Sequence, residues 1–167
     1  MKIPDLFLFF TLFLLFPKFG VGQFFEPLNG PGGIYVNDLA VSPNGVVYIT
    51  TEQGIFRSED DGISWERIMD GIPDNLTTFR NIIAAPDEDA FAIIGNKIGW
   101  LPSGENTWTL KSVPNMNGST SLSINPSGNI YVANYNWGIY RAETGSDDFQ
   151  FIFDPIEPIK AIKTFGT

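Results

Sequence analysis

The chain has 167 residues, of which 43% are hydrophobic and 14% aromatic, so it has enough apolar surface for a packed core and too much for a disordered chain. Its net charge of −9, with no basic stretch, argues against nucleic acid or an anionic membrane surface as a partner. Cysteine and histidine are absent, which excludes disulfides, thiolate nucleophiles, a Ser-His-Asp triad and the usual zinc ligands within these residues.

The first 22 residues have the pattern of a secretory signal peptide. Lys2 gives a positive start, an apolar run follows over residues 6–16, Pro17 ends it, and residues 20–22 (GVG) supply the small side chains that a signal peptidase reads. We expect cleavage before Gln23, and a mature chain that is secreted, periplasmic or on the cell surface. The alternative is an uncleaved anchor, but a spanning helix needs roughly 20 apolar residues. No second apolar run follows, so we expect no membrane span in the mature chain.

The rest of the sequence is a repeat. The segment that starts at Ser42, SPNGVVYITTEQGIFRSEDDGISWERI, returns from Asn125 as NPSGNIYVANYNWGIYRAETGSDDFQFI. The offset equals two units of about 42 residues, and a middle copy places Trp108 one unit after Trp65. A period of roughly 40 to 45 residues is typical of four-stranded propeller blades.

Each unit is predicted to contain short strands joined by tight turns. In the first unit we expect strands over residues 36–41, 46–50, 55–58 and 65–68, which we label A to D. Turn residues such as Gly45 separate them. The middle copy predicts a strand over residues 91–94.

The predicted fold class is therefore all-β, with four-stranded antiparallel blades following a linker over residues 23–33. The predicted blades cover residues 34–70, 79–113 and 119–154, and a further blade starts over 158–167 with a strand at 159–163. About 3.5 blades are present, whereas closed propellers have roughly 4 to 8. We expect an N-terminal fragment of an incomplete propeller, with further blades of the same chain. The alternative is a short protein that covers its sheet edges by self-assembly.

Residues 58–65, SEDDGISW, match the Asp-box or BNR pattern Ser-x-Asp-x-Gly-x-Thr/Ser-Trp. Five positions carry the match: Ser58, Asp60, Gly62, Ser64 and Trp65. The repeat region therefore resembles the superfamily of sialidase-like, sortilin-like and photosystem-stability-factor-like propellers. In these families the box lies in the C–D hairpin, away from the face that binds substrate, so the resemblance implies a structural role. In the other units the pattern is degenerate.

Propellers usually bind on the face made by the B–C and D–A loops. The candidate ligand-binding residues in these loops are Glu52, Arg80, Lys97, Asn134, Tyr135 and Trp137. Aromatic rings beside amides, as in residues 134–137, suit sugar rings, which stack on the ring and bond to the amide. The alternative for Trp137 is packing between blades.

We expect a non-catalytic secreted or surface segment that presents this face to a glycan, peptide or protein partner. A sialidase would need an arginine cluster and a Tyr nucleophile assisted by Glu. Arg57 and Arg141 are repeat equivalents, which suggests a structural role, so we assign no catalytic residue. No cofactor is predicted, and no metal either, because residues 59–61 do not supply the 6 to 8 oxygens that calcium needs.

Two alternatives stay open. The first is a sialidase-like glycoside hydrolase whose catalytic residues lie mostly outside these 167 residues. The second is a periplasmic sensor domain of a two-component regulator, suggested by a faint likeness of residues 71–75 (GIPDN) to turns of those repeats.

Overall fold

The structure is a computed structural model that describes residues 30–116, 119–135, 138–143, 145–155, 157 and 159–164, with the side chains of 119 and 120 left aside. The predicted signal peptide, most of the predicted linker, Trp137 and the last three residues lie outside the described residues. Across the described part, no helix has the length and apolar content needed to cross a membrane.

Twelve strands form three four-stranded sheets in the described residues, and each sheet is an antiparallel meander. The first sheet contains β1 (Val36–Val41), β2 (Val47–Thr51), β3 (Gly54–Ser58) and β4 (Glu66–Arg67). The second contains β5 (Phe79–Ala84), β6 (Ala90–Ile94), β7 (Lys97–Leu101) and β8 (Thr109–Lys111). The third contains β9 (Ser119–Ile124), β10 (Asn129–Asn134), β11 (Gly138–Glu143) and β12 (Gln150–Phe153). The predicted all-β class with four-stranded repeats is confirmed.

Two strand predictions need correction. The fourth strand of the first sheet covers only Glu66–Arg67 instead of 65–68, although the Ile68 amide still donates to the Ile55 carbonyl at 2.9 Å. Residues 159–164 are not assigned to a strand. The Ile162 and Thr164 amides bond to the Ser121 and Ser123 hydroxyls, and the Ile159 amide donates to the Tyr135 carbonyl at 3.3 Å, so the segment lies beside β9 without forming a ladder with its sheet.

The innermost strands of the sheets, β1, β5 and β9, lie side by side. Between β1 and β5 the contact is polar: the Asp38 carboxylate accepts hydrogen bonds from the Asn81 amide at 3.0 Å and from the Ile82 backbone at 2.9 Å. These side-chain bonds hold neighbouring sheets together where no backbone ladder joins them.

Two apolar cores fill the spaces between the sheets. The first lies between the first and second sheets and includes Ile55, Ile94 and Trp108. The second lies between the second and third sheets and includes Phe91 and Ile130. Because the second sheet is buried on both faces, β6 reads AFAII with all five residues buried and without a polar alternation.

A buried cation crosses each inter-sheet space. Arg57 of the first sheet donates to the Glu105 carbonyl at 3.1 Å, in the turn between β7 and β8. Lys111 of the second sheet lies over the Trp100 ring and donates to the carbonyls of Gly145 and Ser146, both at 3.3 Å, in the turn between β11 and β12. Each cation thus fixes the C–D turn of the following sheet.

Candidate binding face

A cavity of about 530 Å³ opens between the first and second sheets, at the end where the B–C and D–A connections lie. It brings together two of the residues predicted from sequence, Glu52 and Arg80. The other residues that line it are Asn37, Thr77, Thr78, Phe79 and Asn81.

The position of Glu52 is set by the tight turn between β2 and β3. Thr51 and Gly54 pair across this turn, and the buried Thr51 hydroxyl accepts from the Gln53 amide at 3.1 Å and donates to the Gly54 carbonyl at 2.9 Å. Gly54 has a φ of +132°, which favours glycine. This internally bonded turn holds Glu52 at the rim with its side chain exposed.

The opposite wall is the start of β5, where Phe79 is buried and Arg80 is exposed. The Gly95 amide donates to the Thr78 carbonyl at 2.7 Å, which ties this wall to the turn after β6. Residues 77–80 are therefore held on a defined backbone that directs Arg80 to solvent.

Asn37 and Asn81 sit at irregularities in the innermost strands. The pairing register shifts between Val36 and Asp38 and again between Arg80 and Ile82. Such bulges leave one residue unpaired and re-aim its side chain. The Asn37 amide donates to the Phe79 carbonyl at 2.9 Å, so the bulges place both amides between the two strands, at the wall of the cavity.

The cavity presents both charges, the Asn37 amide and the Thr77 and Thr78 hydroxyls to solvent. Among the described residues, the Glu52 carboxylate and the Arg80 guanidinium form no ion pair or hydrogen bond, and both side chains are exposed. The Asn81 side-chain oxygen is buried and has no partner in the described residues, while its amide is held by Asp38. Such a surface can bind a ligand that carries both a carboxylate and a cation or N–H donors.

The other predicted ligand residues do not line this cavity. Lys97 is the first residue of β7, and its amine donates to the Ser112 hydroxyl at 2.7 Å. Asn134 ends β10, is 1% exposed, and uses its amide to hold the Asn115 carbonyl. Tyr135 is 41% exposed on the third sheet. Trp137 lies outside the described residues, so the predicted stacking pair stays a prediction.

Sequence reasoning assigned no role to Asn37 and Asn81. Their residue type was a usable signal, because Asn is depleted in strands. Asn37 and Asn81 both lie near the start of an innermost strand, β1 and β5. A polar residue of low β-propensity at that point indicates a bulge.

A second cavity, of about 410 Å³, lies at the opposite end, on the A–B turns. Its lining carries no charged side chain and includes three prolines in repeat-equivalent turns: Pro43, Pro86 and Pro126. The two cavities therefore differ in chemistry, since only the first is lined by charged side chains.

The residues that match the Asp-box form one closed turn after β3. The Asp60 carboxylate accepts from the Ser64 hydroxyl at 2.6 Å, the Ser64 amide at 2.8 Å and the Ser58 hydroxyl at 2.8 Å. Gly62 has a φ of +84°, and the Trp65 indole donates to its carbonyl at 3.1 Å. The hydrogen bonds from Ser64, followed by that from the Ser58 hydroxyl, hold the pKa of Asp60 below its ordinary value.

Because the folded state lowers the pKa of Asp60, its stabilising effect is present above the unfolded pKa and is lost as the pH falls through the folded pKa. We expect Asp60→Asn to lower the melting temperature slightly at pH 7 and to have less effect at pH 3. Thermal unfolding followed by circular dichroism at both pH values measures this. Asp61→Asn, which removes the neighbouring carboxylate, is the control, and an equal loss for Asp60→Asn at both pH values would contradict the assignment.

Comparison with known proteins identifies the fold of the chain. No protein-family model matches the chain, and no curated protein does. Among solved structures, virginiamycin B lyase from Staphylococcus aureus matches with a TM-score of 0.62 and 20% identity, over 78% of this chain and 45% of that one. The extracellular domain of the putative hybrid two component system BT4673 from B. thetaiotaomicron matches with a TM-score of 0.63 and 13% identity, over 80% and 18%.

YCF48 from Cyanidioschyzon merolae matches with a TM-score of 0.57 and 15% identity, over 77% of this chain and 46% of that one. A structure of YCF48 bound to D1 peptide matches with 0.54 and 21%, over 69% and 38%. The fold is a β-propeller. The three sheets are its blades, with β1, β5 and β9 innermost, and the chain spans less than half the length of each of these structures. At these identities the likeness shows the propeller fold alone.

Proposed function

We propose that this chain is a non-catalytic propeller segment of an exported protein, and that the cavity between its first two blades binds an extended polypeptide segment of a partner protein. The observation that carries the proposal is the pair of exposed, opposite and unpaired charges, Glu52 and Arg80, in one open cavity. Export is supported by the pattern of the first 22 residues.

The chemistry of the lining favours a peptide over a sugar. Amide and hydroxyl side chains both donate and accept, which matches the alternating N–H and C=O groups of an extended backbone. A guanidinium can bind a carboxylate with two parallel hydrogen bonds. Sugar sites use exposed aromatic faces, whereas the aromatic residue of this lining, Phe79, is 4% exposed. The similar propeller YCF48, solved bound to D1 peptide, is an example of a propeller with a peptide ligand.

The arginines support a non-catalytic role. A sialidase-type site needs several arginines on one substrate carboxylate, but of the four arginines in the described residues only Arg80 lines the cavity. Arg57 is 8% exposed between blades, Arg67 donates to the Gln53 carbonyl at 2.9 Å, and Arg141 lies on the third blade. We also infer that residues 58–65 act as the structural turn of an Asp-box repeat, since the described hydrogen bonds of Asp60 all stay within that turn.

A displayed library of random 12-residue peptides, panned against the full chain, tests the proposal. We expect captured peptides to carry at least one charged residue, and Arg80→Ala or Glu52→Gln to weaken their binding about tenfold or more, because a hydrogen bond to a charged group contributes about 1.5–3 kcal/mol. Fluorescence anisotropy with the labelled peptide gives the dissociation constants.

Two substitutions that remove the same charges elsewhere on the surface, Lys160→Ala and Glu157→Gln, are the matched controls. Equal binding by Arg80→Ala, Glu52→Gln and the controls would show that the peptides bind outside this cavity. Capture of glycans from a defined array, with no peptide captured, would replace the peptide by a sugar as the ligand.

A further inference from the structure

The outer edges of the three blades differ in length and in charge. The outermost strands of the first two blades, β4 and β8, contain two and three residues, Glu66–Arg67 and Thr109–Lys111, and both include charged side chains. The outermost strand of the third blade, β12, contains four residues, Gln150–Phe153, and none of them is charged. Short length and charged side chains protect a sheet edge from pairing with another chain. The edge of the third blade lacks both.

The side chain of Phe151 makes this edge apolar. Its equivalents are Arg67 in β4 and Leu110 in β8, which pair with the corresponding position of the third strand in their own blades. Arg67 is exposed and Leu110 is half-buried, whereas Phe151 places an aromatic ring at this position that is 53% exposed. The Tyr140 ring meets it edge-on, with the centroids 5.5 Å apart, and covers part of it. The rest of the ring is open to solvent.

The exposure of Phe151 belongs to the sheet edge and not to the open face of the third blade. Its cross-strand partner Tyr140 lies in the core between the second and third blades, so Phe151 is on the face that already has a neighbouring blade. The next residue, Ile152, is different. Its equivalents Ile68 and Lys111 are buried against the blade that follows each of them, so the exposure of Ile152 carries no argument here.

The sequence around β12 is acidic. Residues 142–159 contain Glu143, Asp147, Asp148, Asp154 and Glu157, and no lysine or arginine. Asp148 lies shortly before the strand and Asp154 directly after it, and both are exposed. A second copy of the chain, paired antiparallel through the same strand, would bring these carboxylates close together, and like charges on opposite strands are destabilising. Charge therefore disfavours a second copy and favours a strand with basic residues at both ends.

We propose that β12 is a docking edge for an extended segment of a partner protein, which adds a fifth strand to the third blade. The segment has β-branched residues at its centre and lysine or arginine at both ends. Its backbone pairs with the outer side of β12, which among the described residues is bonded to β11 alone. Its centre packs on Phe151, and its basic ends lie near Asp148 and Asp154. This edge is separate from the charged cavity between the first two blades.

Fluorescence anisotropy of the full chain with a labelled peptide of sequence KKVTVTVKK tests the proposal. The control peptide EEVTVTVEE keeps the same centre and inverts the charges at both ends. We expect the basic peptide to bind about tenfold more tightly or better, because several charges change from repelled to attracted. We also expect slower hydrogen exchange in residues 150–153 when the basic peptide is bound, because a new backbone ladder protects amides.

A matched pair of variants locates the binding. Phe151→Arg gives β12 the residue that β4 has at this position, and it is expected to weaken binding of the basic peptide about tenfold, because it removes an aromatic cross-strand contact and adds a like charge. Ile63→Arg adds the same charge at another exposed apolar residue and is expected to leave the affinity unchanged. Circular dichroism of both variants checks that the blades stay folded.

Equal affinities for the two peptides, or equal affinities of the two variants for the basic peptide, would overturn the proposal. Slower exchange in residues 77–81 instead of 150–153 would place the peptide in the charged cavity, which overturns the docking edge and leaves the proposed function standing. A dimer of the free chain in sedimentation velocity, dissociated by Phe151→Arg, would make a second copy the occupant and would also overturn the proposal.

Discussion

Replacing Trp108 by alanine is expected to destabilise the protein by about 3–5 kcal/mol, the range for removing a large buried aromatic side chain. Trp108 is 2% exposed in the core between the first two blades, and its indole donates to the Ile68 carbonyl at 3.0 Å. The substitution removes packing from both blades and leaves the carbonyl without this bond. Chemical denaturation followed by far-ultraviolet circular dichroism measures the loss.

The repeat provides a matched control for this substitution. Trp65 is the equivalent residue of the first blade, but it is half-buried and belongs to neither apolar core. We expect Trp65→Ala to cost about 1 kcal/mol, as partial burial of a side chain implies. Trp108→Phe, which keeps the aromatic ring, separates the packing from the hydrogen bond. Equal losses for Trp65→Ala and Trp108→Ala would contradict the blade packing described above.

Replacing Gly71 by alanine is expected to cost about 3 kcal/mol or more, because two effects add. Gly71 has a φ of +83°, which an L side chain rarely adopts, and an added Cβ would lie 2.1 Å from the Trp108 carbonyl oxygen. Backbone is in contact with backbone here, since the Trp108 amide also donates to the Asp70 carbonyl at 2.8 Å. The blades would have to separate to admit the methyl group.

Gly45→Ala is the control that measures the cost of the left-handed backbone conformation without a steric clash. Gly45 has a φ of +89°, and no atom lies within 4 Å of an added Cβ, so only the left-handed conformation is penalised, by about 1–2 kcal/mol. The difference between the two substitutions, measured by denaturant unfolding, reports the clash alone. If Gly71→Ala is no worse than Gly45→Ala, the second blade does not approach the end of the first as closely as the structure shows.

Local pattern was sufficient to predict the blades. The repeat of about 42 residues, the turn glycines and β-branched runs such as residues 46–50 predicted strands that the structure places within one or two residues. The outermost strand of the first blade was predicted too long, because its pairing depends on where Arg57 and Phe56 find partners across the sheet. Short edge strands depend on such cross-strand pairing more than on their own sequence.

The candidate site was only partly predictable. Glu52 and Arg80 share a cavity because the B–C turn of one blade meets the D–A connection to the next. Assigning the two residues to these loops was enough to predict that they lie on the same face. Asn134 was also predicted to lie in a B–C loop and to bind ligand. Its side chain is instead buried, and its amide donates to the Asn115 carbonyl. The bulges that bring Asn37 and Asn81 to the cavity depend on strand register, which a single sequence specifies weakly.

Different residues of the blades serve stability and the proposed binding. The C–D turns and the cations that reach them, Arg57 and Lys111, lie at the outer part of the blades and stabilise their packing. The charged cavity lies at one end of the inner strands and uses Glu52 and Arg80, which make no such contacts. Substitutions at the cavity should therefore change binding without a loss of stability.

Hydrogen exchange of the full chain, with and without a peptide captured from the library, tests the proposed binding face most directly. We expect slower exchange on peptide binding in residues 51–54 and 77–82, the segments that contain the lining residues Glu52 and 77–81 of the charged cavity. Slower exchange confined to the A–B turns around Pro43, Pro86 and Pro126, at the opposite end of the blades, would contradict it.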